Sequence, residues 1–138
     1  MTTEPKPDFS VHLCWKGEER FQGASGEVQL LVDGKRKGGP SPVQGVAFSL
    51  GSCMAIDVAD ILEKGRFALR SLECDLTVFR EKETPRRITA IDLHFMVGGA
   101  VPEDRVARAI ELSREKYCSV WHSLNPSIDF KTSFAVKP

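Results

Sequence analysis

The sequence predicts an α+β domain in which antiparallel sheets wrap around one long central helix. Three observations carry this. Phe9 to Trp15 alternates apolar and polar residues, as a strand with one covered face does. Val43 to Lys64 is apolar on nearly every side of a helical wheel. The segments then follow in the order three strands, helix, two strands, helix, strand, with no repeat and no low-complexity stretch.

Residues 1–8 are polar, carry two prolines and read as a loose tail, leaving 9–138 as a single domain. In the first strand Phe9, Val11, Leu13 and Trp15 share the inward side. Lys16 to Glu19 is a turn, Arg20-Phe21 starts a short second strand, and Glu27 to Val32 is a third. Connections this short make an antiparallel meander. Asp33 to Pro42 holds three glycines, two prolines and three basic residues, and is a loop.

The long helix starts where Ser41 caps it and Pro42 fits its first turn, and ends on Glu-Lys-Gly-Arg with Gly65 as its C-cap. A helix apolar all round must be covered all round, and in a chain this size the simplest solution is the centre of a dimer. Gly45 and Gly51 mark a close backbone approach or a kink. Leu72 to Phe79 alternates with Leu72, Cys74, Leu76 and Val78 inward. Glu81 to Arg87 is a charged connection, and Ile88 to Val97 is the next strand, ended by Gly98-Gly99. Pro102-Glu103-Asp104 opens a second helix whose face is Val106, Ala109, Ile110, Ser113 and Tyr117. Asn125-Pro126 stops it, and Ile128 to Val136 is the last strand.

Lysine plus arginine and aspartate plus glutamate both count 19, so the net charge is zero, which argues against a nucleic-acid binder. No run reaches the ~18 consecutive apolar residues of a membrane span, and the N-terminus lacks the apolar core of a signal peptide. A cytoplasmic protein is expected, with Cys14, Cys53, Cys74 and Cys118 as thiols. No Cys-x-x-Cys motif is present, and His122, four residues after Cys118, has no evident partners for a metal site.

Cys53 lies in Ser-Leu-Gly-Ser-Cys-Met-Ala-Ile-Asp-Val and Cys118 in Leu-Ser-Arg-Glu-Lys-Tyr-Cys-Ser-Val, 65 positions later. If the fold joins them, they form a pair able to cycle between dithiol and disulfide. Taken singly, each also reads as a small buried hydrophobe, as most free cysteines are. A carboxylate at Asp57, one turn after Cys53, would disfavour the thiolate if it faces the sulfur, although a structural hydrogen bond is the more ordinary use of Asp57 and Asp60.

Those two cysteine motifs, with the order of elements, resemble the OsmC/Ohr family of organic hydroperoxide reductases, and in particular its OsmC-like branch. The resemblance runs over nearly the whole chain. It implies an intertwined homodimer with two central helices back to back, and a thiol peroxidase that needs no metal or cofactor. Cys53 would become a sulfenic acid, Cys118 would condense with it to a disulfide, and a lipoyl-type dithiol would reduce that disulfide. Arg20, in Glu-Glu-Arg-Phe-Gln-Gly, matches the family's site arginine. The family's glutamate after the loop proline is absent. The run is Pro42-Val43-Gln44-Gly45, and Gln44 can orient an arginine by hydrogen bonding but forms no ion pair, so weaker activity is expected. The alternatives to a peroxidase are a non-catalytic binding protein of the same fold and a redox sensor.

Overall fold

The computed structural model describes residues 4–138. Of the expected N-terminal tail, residues 1–3 lie outside the described residues, and 4–8 are exposed without helix or strand. The chain forms two compact units, one ending at Val46 and one running from Ala47 to Pro138.

The first unit is the expected antiparallel meander, β1 (His12–Trp15), β2 (Arg20–Ser25) and β3 (Val28–Asp33). β1 is shorter than the alternation suggested. Its pairing begins at His12↔Ala24, because β2 ends at Ser25 and the chain turns at Gly26. Register places Leu13, Trp15, Phe21, Val28 and Leu30 on one face of this sheet. In the single chain this face is exposed, Trp15 by 63% and Val28 by 69%. The Asp33 carboxylate clamps the following loop, accepting from the Lys35 N–H at 2.9 Å and the Gly38 N–H at 3.0 Å. The Gly38 bond first, then that of Lys35, holds this carboxyl below its usual pKa.

The helix α1 (Pro42–Lys64) starts where Ser41 and Pro42 predicted. Ser41 Oγ accepts from the Gln44 N–H at 3.2 Å while Gln44 Oε1 accepts from the Ser41 N–H at 3.0 Å, a reciprocal capping box. At the other end Phe67 N–H bonds Leu62 O and Arg66 N–H bonds Glu63 O, with Arg66 the left-handed residue at φ 61°. Gly65 precedes that residue rather than supplying it.

By length and composition α1 is sufficient to cross a membrane, which corrects the reading of the sequence. Its glycines, serines and carboxylates interrupt every consecutive apolar run but leave the average high. A core helix passes the same test, and α1 packs as one: Leu50, Gly51, Met54, Val58 and Leu62 are buried on one side. The other side, which the sequence reading gives to a second subunit, is open in the single chain, with Phe48 69% and Ile56 67% exposed.

In the second unit the sheet runs in the order β4 (Ala68–Arg80), β5 (Ile88–Ala100), β6 (Asp129–Lys137). Leu72, Cys74, Leu76 and Val78 pair with Val97, Phe95, Leu93 and Ile91, so one face is continuously apolar. That face joins α1 in the core, together with Val106, Ala109 and Ile110 of α2 (Glu103–Leu112). At Gly51 a Cβ would meet Leu76 and Cys74 at ordinary contact distance, so this glycine marks where the helix lies close over β4.

Three details of the second unit differ from expectation. β5 pairs with β6 in parallel, not antiparallel, because the helices between them form a crossover long enough to carry the chain back. Gly98 and Gly99 do not end β5 but continue it, where Ser71 and the Ala68 carbonyl leave no room for a Cβ. The second helix widens after Leu112 into a π-helical turn, Ser113–Tyr117, and stops at Cys118. The wider turn swings Tyr117 off the buried face, leaving it 51% exposed, whereas Ser113 is fully buried.

Candidate functional site: a buried and a half-exposed thiol

Cys53 projects from the middle of α1 on the side next to its buried stripe, and is half-buried. Cys118 arrives from the opposite direction, at the end of the π-helical turn, and is fully buried. Its backbone leaves the helical region (φ −73°, ψ 99°), and its N–H donates to Ser113 O at 2.7 Å, closing the wide turn. The Cys118 sulfur then accepts the Trp121 N–H at 3.3 Å, so this thiol is the N-cap of the short α3 (Ser119–His122).

The fold brings the two thiols side by side, and both are free. Burial pushes the Cys118 pKa up to about 11, with the neighbouring Cys53 thiol adding to the rise, while the Trp121 and Val120 N–H groups oppose it. At neutral pH only about one Cys118 in ten thousand is then a thiolate.

Around the thiols, Trp121 and Phe130 stack with ring centroids 4.5 Å apart, and the Arg114 guanidinium lies 4.8 Å from the Phe130 centroid and 5.9 Å from that of Trp121. Asp57, one turn beyond Cys53 on α1, accepts the Ser113 hydroxyl hydrogen at 2.7 Å. No local pattern signals this contact, which joins residues 56 positions apart.

The other expected site residues belong to the first unit. Arg20 opens β2 with an exposed side chain, its N–H bonded to Gly17 O and its carbonyl accepting from Lys16 N–H. Gln44 uses its side-chain oxygen in the capping box with Ser41. The spacing Ser41-Pro-Val-Gln44 is the sequence signal for that box. Cys74 is half-buried against the core, with a pKa raised by burial and then by Asp75, and Cys14 is exposed on β1. His122 does not share a continuous helix with Cys118, because Cys118 breaks it. No group of three or more potential metal ligands occurs among the described residues.

A family model described as OsmC-like protein matches residues 33–133. Protein YhfA of Escherichia coli (strain K12) is 44% identical over 117 residues, spanning 83% of this chain and 87% of that protein. The crystal structure of a hypothetical protein from Aquifex aeolicus VF5 superposes with a TM-score of 0.88 at 29% identity, covering 96% of this chain and 98% of that one. The organic hydroperoxide resistance protein OsmC from Legionella pneumophila superposes with a TM-score of 0.70 over 96% of this chain and 100% of that one. Its identity of 13% establishes a common fold.

Proposed function

The chain belongs to the OsmC-like protein family, and from that premise we propose that it is a thiol-dependent peroxidase acting on organic hydroperoxides. The Cys53 thiolate attacks the terminal peroxide oxygen. The O–O bond breaks, the departing alkoxide takes a proton to become the alcohol, and the sulfur is oxidised to a sulfenic acid. The Cys118 sulfur then attacks Cys53. The S–O bond breaks, hydroxide leaves with the Cys118 proton as water, and a disulfide remains. A dithiol of the lipoyl type returns both sulfurs to thiols and is itself oxidised to a disulfide. The chemistry uses no cofactor.

The observation that carries this reading is the adjacency of Cys53 and Cys118 in the core. It supplies the contact that condensation requires, and the asymmetry of burial divides the roles. The half-exposed Cys53 is open to a peroxide, while the buried Cys118 is open to little besides Cys53. Arg20 is assigned to hold the thiolate and the peroxide, and Gln44 to orient that arginine. The exposed apolar face of the meander supports a homodimer, and so, separately, does the exposed Phe48 and Ile56 side of α1, since exposed apolar patches mark interfaces.

A non-catalytic binding protein of the same fold is the second reading, and one observation favours it. The run after Pro42 is Val43-Gln44-Gly45 with no carboxylate, and the Gln44 oxygen is already engaged by Ser41. A poorly held arginine would slow the attack on peroxide.

The test is to mix the protein with an alkyl hydroperoxide and dihydrolipoamide. Peroxide consumption well above that of Cys53→Ser is expected. Consumption equal to that control would reject the peroxidase in favour of the binding protein, and fast oxidation with slow reduction would select a redox sensor.

A further inference from the structure

We infer that Asp57 and Ser113 are positioning residues for the thiol pair, a latch that sets Cys118 against Cys53 for the condensation step. The inference rests on the proposed two-thiol chemistry for its meaning in catalysis.

Asp57 and Cys53 are four residues apart on α1 and so lie on one face, one turn from each other. Ser113 is the first residue of the π-helical turn and is fully buried. Its side chain donates to Asp57 Oδ2 at 2.7 Å, and its carbonyl accepts the Cys118 N–H at 2.7 Å. One residue therefore grips α1 with its hydroxyl and the Cys118 backbone with its carbonyl. The adjacency of the two thiols closes the ring. A hydrogen bond to a carboxylate is shorter and roughly twice as strong as one between neutral groups. In a helix of ordinary pitch the Cys118 N–H would bond residue 114 instead, so the extra residue of the π turn brings Ser113 itself into the link.

Condensation is sensitive to such a latch, and the first oxidation is not. Disulfide formation needs Cα atoms about 4.4–6.8 Å apart and a defined dihedral angle, and a misplacement on the order of 1 Å can cost ~100-fold in rate. Peroxide attack at Cys53 involves no residue of the π turn.

The experiment follows both steps separately in Ser113→Ala, Ser113→Thr, Asp57→Asn and the wild type. Sulfenic acid formation is read by dimedone trapping, and the Cys53–Cys118 linkage by mass spectrometry of quenched samples. Ser113→Ala is expected to oxidise at Cys53 within about twofold of the wild-type rate and to condense at least about tenfold more slowly. Ser113→Thr, which restores the hydroxyl, and Asp57→Asn, which keeps an acceptor, are expected to recover most of the condensation rate. Condensation at the wild-type rate in Ser113→Ala, or a loss that Ser113→Thr does not repair, would overturn the latch. Diamide, which oxidises a dithiol directly to a disulfide while being reduced to its hydrazine, gives the same comparison without peroxide. Slower linkage by diamide in Ser113→Ala supports the latch even if the protein consumes no hydroperoxide, so the two failures are distinguishable.

Discussion

The Cys118 sulfur accepts the Trp121 N–H at 3.3 Å, so the thiol that faces Cys53 also caps the helical turn carrying Trp121. A single atom thus joins the dithiol to an aromatic reporter stacked on Phe130.

Disulfide formation draws that sulfur toward Cys53 and weakens the cap, which shifts the Trp121 ring against Phe130 and Arg114. The chain has two tryptophans, and Trp15 is removed by Trp15→Phe to isolate the signal. In that background, oxidation with diamide is expected to change the emission of Trp121, and a dithiol to restore it. The change disappears in Cys118→Ser. A linkage confirmed by mass spectrometry with unchanged emission would show that the cap survives oxidation.

The proposed homodimer has its own test on the meander. Leu30 pairs with Gly23 and lies on the same exposed apolar face as Leu13 and Trp15. Burying one leucine-sized side chain contributes about 1.5–3 kcal/mol, and each copy of a symmetric pair contributes one. Leu30→Lys is expected to shift sedimentation from dimer to monomer at micromolar concentration, with unchanged circular dichroism. A wild-type protein that sediments as a monomer would refute the assignment of this face.

The order of elements was legible because periodicity and punctuation agree over most of the chain. Ser41-Pro42 marked the start of α1 to the residue, and the alternation of Leu72 to Val78 marked the inward face of β4. The π-helical turn was not legible. Ser113, Arg114, Glu115, Lys116 and Tyr117 suit an α-helix equally well, and the one-residue widening comes from packing rather than propensity. The partnership of Asp57 with Ser113 was hidden for the same reason, since only tertiary structure brings them together. The Phe9–Trp15 alternation marked the apolar face of the meander but not what covers it, because periodicity identifies an apolar side and not its partner. Cys53 and Cys118 were singled out by their motifs, and their contact came from the fold.

Two glycines make opposite stability predictions. Gly51 lies within α1, where a Cβ would reach Leu76 Cδ1 at 3.6 Å and Cys74 Sγ at 3.8 Å without a clash. Gly51→Ala is expected to stabilise the protein by up to about 1 kcal/mol through helix propensity. Gly99 has φ 124° and faces the Ala68 carbonyl, so Gly99→Ala meets both strain and collision. A loss of about 2–3 kcal/mol is expected. Thermal melts check both, and a lower melting temperature for Gly51→Ala would mean that α1 sits closer to β4 than described.

The raised pKa of Cys118 fixes the sign of one pH effect. Burial first, and then the neighbouring Cys53 thiol, hold its proton up to about 11, against an ordinary value of 9.0. A thiol whose folded pKa is raised contributes stability that is complete below pH ~9 and is lost as pH rises toward ~11. The stability difference between wild type and Cys118→Ser is therefore expected to be constant at neutral pH and to shrink between those limits. Native-state alkylation of Cys118 should be slow at pH 7 and rise with a midpoint near 11. In Cys53→Ser that midpoint should fall but stay above 9, because burial remains when the partner sulfur is gone. A Cys118 that alkylates near pH 8 as readily as a free thiol would show that the residue is neither enclosed nor held by Cys53.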